Sequence, residues 1–260
     1  MRYLPPFVFA ASLTLAAISS PAQSVVNTPP ARVQKLDLGF VYSRGDYGLT
    51  QDTTVVAVPV SYSYEADLWT WRLTAPWIMI DGPASVVGDG GASGPLRPTD
   101  GNESGLGDSS ISLSYKAATG ADRVNVSVSG RVKFPTGDED RGLGTGEVDY
   151  YTQMDFFRSY GSFTPFGTIG YRWLGDGLYQ LEDGMYASAG LLFTVAQGTS
   201  VGVSYEWREA IIVNGDDASE AALSVFHRFS DRINGNLSLT KGFTDASADI
   251  GMSAQISYTF

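Results

Sequence analysis

The chain contains no cysteine and a single histidine, and its acidic residues outnumber its basic ones, 28 against 17, for a net charge of −11. The missing cysteine excludes disulfides, thiolate nucleophiles and cysteine-ligated zinc together. One histidine, His227, leaves no partner for an imidazole metal site, and acidic loops hold calcium weakly without an ordered cage. No metal and no cofactor is expected. The shortage of positive charge excludes nucleic acid as a partner, because phosphate binding needs clustered lysine and arginine. The acid falls in short runs such as Asp138-Glu139-Asp140 and Asp216-Asp217, which read as solvated loops. Beyond the first residues there is no apolar stretch near the ~20 residues that a membrane helix requires. Any crossing of a bilayer must therefore be made by strands. The mean hydropathy of −0.05 is too polar for a helical membrane protein. It suits a barrel, whose lipid-facing and lumen-facing residues alternate and cancel in the average.

What is present begins with a leader. Arg2 precedes an apolar run over 7–18, and small residues follow from Ser19 to Ser24. This is the pattern of a signal peptide over 1–24, cut after Ala22 or Ser24, which exports the chain and is set aside in fold reasoning. Loss of Arg2 takes the formal charge from −11 to −12. A short periplasmic segment is expected over 25–35 and a barrel over 36–260. Some ten residues before the first strand are too few for an N-terminal hatch.

The last residues show the barrel pattern most clearly. Ile250, Met252, Ala254, Ile256, Tyr258 and Phe260 fall on one face of an extended strand, and Gly251, Ser253, Gln255, Ser257 and Thr259 on the other. Side chains in a strand alternate between faces, so this segment is apolar on one side and polar on the other. Its aromatic end resembles the C-terminal signal of bacterial outer-membrane barrels, which the barrel-assembly machinery reads through the terminal residue, here Phe260. The same alternation recurs along the chain, for example in Leu36, Leu38, Phe40 and Tyr42, in Trp69, Trp71 and Leu73, and in Leu191, Phe193 and Val195. Twelve such strands are expected, an even number that suits a closed antiparallel barrel. The fold class is all-β: a 12-stranded antiparallel transmembrane β-barrel of the bacterial outer membrane.

The connections sort by parity. Those after even strands (65–67, 118–122, 160–161, 197–199, 230–231) are short. Those after odd strands include 80–105, 135–147, 174–184 and 212–219, which are longer and rich in glycine and aspartate. Short periplasmic turns and long external loops are the habit of this class, whereas a soluble β-sandwich has no reason to sort its loops. Aromatic residues gather at the periplasmic ends (Tyr62, Tyr64, Trp69, Tyr258, Phe260) and the outer ends (Trp77, Tyr171, Trp173, Trp207), as two headgroup girdles would. Any plug must come from an external loop, and the longest, 80–105, is the expected one.

Gly105-Leu106-Gly107-Asp108, Lys133-Phe134-Pro135-Thr136-Gly137-Asp138, Gly142-Leu143-Gly144-Thr145-Gly146, Asp149-Tyr150 and the terminal Ser257-Tyr258-Thr259-Phe260 occur in that order. Together they resemble the family labelled "MetA-pathway of phenol degradation", whose members are outer-membrane transporters. The resemblance covers nearly the whole mature chain, and it implies a barrel passing small aromatic or hydrophobic molecules. The motifs also have a local reading. Pro135 cannot donate to a ladder, so strand five stops at Phe134. The glycines permit the turns that follow. Gly142 to Gly146 is not a phosphate-cradling loop, because no helix follows it. Gly105 to Asp108 is expected at the foot of the large loop.

The inward face carries the chemistry. Arg72, Lys116, Arg131, Lys133, Arg172 and Arg208 are expected there, against Asp37, Asp149, Asp155 and Glu206. Lys133 should lie opposite Asp149, where opposite charges attract. Two readings follow: the charges pair off and fill a narrow lumen, or the cations form a basic ladder that favours anionic solutes. An enzyme is the competing class. A barrel phospholipase needs its histidine and serine two residues apart on one lipid-facing surface, but Ser224 and Ser230 each lie three from His227. The expected function is an outer-membrane channel for small solutes, aromatic or hydrophobic compounds or their acids, embedded among outer-membrane lipid and lipopolysaccharide. The alternative is a structural or partner-anchoring barrel with a plugged lumen.

Overall fold

The structure, a computed structural model, describes residues 32–84, 102–120, 123–175 and 181–260, together with the backbone pairings of Phe7–Val8 with Ala17–Ile18 and of Val86–Val87 with Gly91–Ala92. The leader expected over 1–24 otherwise lies outside the described residues, as does most of 25–35. The strands are β1 Val33–Gly45, β2 Thr53–Ala66, β3 Trp69–Asp81, β4 Asn102–Leu106, β5 Ser109–Ala118, β6 Asn125–Phe134, β7 Asp149–Phe157, β8 Phe163–Trp173, β9 Gly184–Ala196, β10 Thr199–Arg208, β11 Ala218–Arg228, β12 Ile233–Gly242 and β13 Ile250–Thr259. Segments β4 and β5 pair with the upper and lower parts of β3 and form one interrupted stave. Neighbours pair antiparallel all round, and β13 meets β1, which closes a barrel of twelve staves. Among the described staves, closure leaves an unpaired edge only on the short upper segment β4, which pairs with β3 alone; strands in lipid need every other edge paired.

Side-chain chemistry follows the pleat. In β13, Ile250, Met252, Ile256 and Tyr258 are exposed on the outside, while Gly251, Ser253, Gln255 and Ser257 are buried inside. The exposed outer belt continues through Leu36, Leu38, Trp71, Leu73, Leu223, Leu237 and Leu239. An apolar surface of this kind is tolerable only against lipid. Aromatic pairs mark its two rims. Trp69–Tyr115 and Tyr258–Phe260 lie at the end holding the short turns, and Tyr171–Trp173 at the other, with ring centroids 4.6, 5.1 and 4.9 Å apart.

The turns 67–68, 119–124, 158–162, 197–198 and 229–232 lie at one end, and the longer loops L1 (46–52), L2 (82–101), L3 (135–148), L4 (174–183), L5 (209–217) and L6 (243–249) at the other. Boundaries differ from expectation most at two places. The first strand begins at Val33 rather than Leu36. The fourth stave begins at Asn102, so Gly105 and Leu106 are strand residues and the large loop shrinks to 82–101. This upper piece exposes Asn102 and Ser104 beside Leu106. It stands where one face no longer needs to be apolar, and the alternation that marks the other strands is lost.

Candidate functional site

On the side of β2 and β3, the outer half of the lumen is lined by apolar side chains. Val55 and Ala57 of β2 and Ile78 and Ile80 of β3 point inward and are 0–2% exposed. Four loops fold onto them, contributing Tyr47 of L1, Ala84 of L2, Leu143 of L3 and Ala248 of L6, with Val41 and Leu49 at the margin. Burying a leucine such as Leu143 contributes roughly 1.5–3 kcal/mol. The alternation rule could not find this cluster, because Val55-Val56-Ala57-Val58 and Trp77-Ile78-Met79-Ile80 are apolar on both faces. Ala84 is the last described residue before the part of L2 expected to form the plug. Burial pushes the Tyr47 phenol up to about 12, against a weaker opposing hydrogen bond to Ser43.

The family-type motifs converge beside this cluster and hold L3 inward. Lys133 and Asp149 are direct cross-strand partners. The Lys133 Nζ lies 2.9 Å from Asp149 Oδ2 and 2.5 Å from both Asp108 Oδ2 and Thr145 Oγ1. Asp108 also accepts from the backbone amides of Gly137 at 3.0 Å and Thr145 at 3.3 Å. Asp149 accepts from the amide of Gly175, the second residue of L4, at 3.0 Å. One ammonium thus fastens two loops to the wall. Buried charges persist only when paired and fully hydrogen-bonded, and this group meets that condition.

The remaining motif residues make the fit possible. Pro135 ends the ladder of β6. The Thr136 hydroxyl then donates to Gly107 O at 2.8 Å and accepts from Ser109 N at 2.8 Å, filling the gap between β4 and β5. Asp138 caps the 3-10 turn Glu139–Arg141, which closes on Gly142 at φ 68°, a left-handed conformation that glycine adopts without strain. A Cβ on Gly144 would collide with the Asp108 carboxylate. Leu143 seats over Gly105, and Arg141 clamps Glu103 at 2.6 Å. The sequence marked these positions as a motif, but not Asp108 as the anchor.

The other candidate residues also face inward, and most are paired. Arg72 bridges to Asp37 at 2.7 Å across β2. Lys116 pairs with Glu65, which Lys35 approaches at 3.7 Å. Arg208 meets Glu220 at 2.8 Å and Glu206 at 3.5 Å. Arg131 lies over the Tyr151 ring at 3.8 Å, and Arg172 donates to the Glu209 carbonyl. Asp155 accepts from Thr168 at 2.7 Å and from Gln153 at 3.0 Å. The geometry is that of charges paired within the wall.

A second apolar cluster joins Tyr151 and Tyr186 of the wall to Leu174 and Leu181 of L4 and Ile211 of L5. Below it Phe157, Phe166, Leu192 and Phe226 continue an aromatic-rich inner wall towards the periplasmic end. Next to β11 the wall changes character, and β12 and β13 present Ser238, Thr240, Ser253, Gln255 and Ser257. Neither the second cluster nor the aromatic inner wall was anticipated from the sequence. His227 lies 2.9 Å from Thr199 Oγ1 and edge-on to Phe229, while Ser224 faces the lumen and binds Ser238 at 2.8 Å.

Residues 38–260 match the family described as "Putative MetA-pathway of phenol degradation". The chain belongs to this family. Its fold is similar to that of the COG4313 outer membrane channel from Pseudomonas putida F1, with a TM-score of 0.68 and 14% identity over 92% of this chain and 99% of that one. It is also similar to the KdgM porin, TM-score 0.53 and 7% identity over 86% and 99% of the two chains, and to the NanC porin, TM-score 0.53 and 10% identity over 86% and 98%. No curated protein sequence matches the chain. The likeness shows the fold, a closed antiparallel β-barrel, and within it the family-type motifs build the fastening of L3.

Proposed function

We propose that this family member is an outer-membrane channel for small solutes, aromatic or hydrophobic compounds and their acids, whose outer mouth is gated by L3. It performs no catalysis in this reading. The observation that carries the proposal is the seat of Leu143, 1% exposed among inward-facing residues of β2 and β3. An apolar seal excludes water and ions but yields to an apolar solute, which replaces the lost contacts with its own. Below the seal, an aromatic stretch of wall adjoins a hydroxyl-bearing one, an arrangement suited to a ring with a polar substituent. The paired cations argue against a free basic ladder as the selecting element. The chain would be exported by a leader over 1–24, folded by the assembly machinery through Phe260, and embedded among lipid and lipopolysaccharide through its apolar belt.

Proteoliposome entry of benzyl alcohol and benzoate tests the proposal. The wild-type barrel should admit both solutes, and Leu143→Ala should admit them faster. No entry through either protein would place the chain among structural, plugged barrels.

A further inference from the structure

Two buried polar atoms on the inward face of β13 have no hydrogen-bond partner among the described residues: Gln255 Oε1 and Ser253 Oγ. Both side chains are 8% exposed. The Gln255 amide nitrogen donates to Ser257 Oγ at 3.1 Å, while the unpartnered Oε1 is an acceptor. A buried acceptor left without a donor costs about 1–3 kcal/mol.

The position of the pair gives it meaning. Ser253 is the cross-strand partner of Val41, which packs against the outer apolar cluster. Gln255 is the partner of Gly39, one step further down the lumen. At that level the adjoining wall is built from Gly39, Pro59, Pro76 and Gly107. Pro59 pairs with Pro76 and covers Gly39, and Gly107 N donates to Pro76 O at 2.9 Å. All four residues are buried and none extends a long side chain inward. The unpartnered atoms therefore stand directly beneath the seal, beside a flat stretch of wall.

We propose that Gln255 and Ser253 form a hydrogen-bonding site for a neutral solute carrying an O–H or N–H donor, engaged as the solute passes the outer seal. The site rests on the channel reading and narrows it from aromatic solutes in general to those with a donor. Gln255 Oε1 accepts the solute proton, and the Ser253 hydroxyl supplies a second contact. A carboxylate or an ether offers no donor and leaves the acceptor unsatisfied. Sites built around a buried polar group reject an analogue that lacks its partner far more strongly than apolar pockets reject a missing methylene.

The test uses the refolded full barrel in micelles with two neutral probes of like shape, benzyl alcohol and benzyl methyl ether. The wild type should bind the alcohol about tenfold more tightly, the worth of one recovered hydrogen bond. Gln255→Leu should bring the ratio near one and raise the unfolding temperature, since it removes an unsatisfied group. Ser253→Ala should reduce the ratio less. Equal binding of the two probes by the wild type, or a ratio unchanged in Gln255→Leu, overturns the site. Proteoliposome flux measured alongside separates the two ideas: selective binding without flux sinks the channel and keeps the site, and flux without preference does the reverse.

Discussion

Two buried ion networks line the same lumen and do different work. Arg72 and Asp37, with side chains 9% and 5% exposed, tie β3 to β1 across β2, so both ends of the pair belong to the wall. Lys133, 4% exposed, sits between Asp108 and Asp149, which in turn hold the amides of L3 and L4. The chemistry is the same, an inward cation neutralised by carboxylate. The difference lies in what the carboxylates hold at their far side. A pair that joins staves stabilises the barrel, while a pair whose carboxylates hold loop amides keeps those loops docked on the inner wall.

Lys133 is where the two networks part most sharply. Lys133→Met leaves two buried carboxylates facing each other, a loss of about 3–5 kcal/mol for a severed buried pair. L3 and L4 should undock together, seen as protease cleavage within 135–148 and 174–183 of an otherwise folded barrel. Arg72→Met removes a pair of the same class and should cost a similar ~3 kcal/mol, but in the unfolding temperature of the barrel, with the loops still protected. If it exposed L3 instead, the distinction between the two networks would fail. Leu143→Ala should cost about 2–5 kcal/mol of loop docking through lost contacts and a cavity, read as faster solute entry with unchanged barrel melting. Gly144→Ala should shift Asp108 and loosen L3 by about 1–3 kcal/mol, a weaker copy of Lys133→Met.

The smallest effect is with pH. Tyr47 holds its proton to about 12 because burial disfavours the phenolate. The raised pKa means its contribution to L1 docking is complete below the ordinary tyrosine value near 10 and is lost as pH rises through about 12. Loop protection in L1 should be flat from neutral pH to about 10 and fall above it. Tyr47→Phe should remove that fall.

Much of the barrel was legible because lipid imposes a strict demand on strands. An outer face must be apolar at every second residue, and the segment from Ile250 to Phe260 satisfies it without exception. The register of Lys133 against Asp149 was legible too, since it follows from counting back from Pro135. The seal was not. Ile78 and Ile80 lie in a run apolar on both faces, so no pattern distinguishes the lumen side from the lipid side. Leu143 sits in a glycine-rich loop, where one apolar residue gives no period at all. The anchor at Asp108 was visible only as part of a motif, because its hydrogen bonds go to amides 29 and 37 residues away. The upper piece of the fourth stave escaped for the opposite reason, because above the membrane the demand on its outer face lapses.

The most direct test of the gate is single-channel conductance of the refolded barrel in a planar bilayer, wild type against Lys133→Met. Wild type should conduct small ions rarely and briefly, and the Lys133→Met barrel should stay open with a severalfold larger step. A wild type that is steadily open, with the same conductance in Lys133→Met, would contradict the gate.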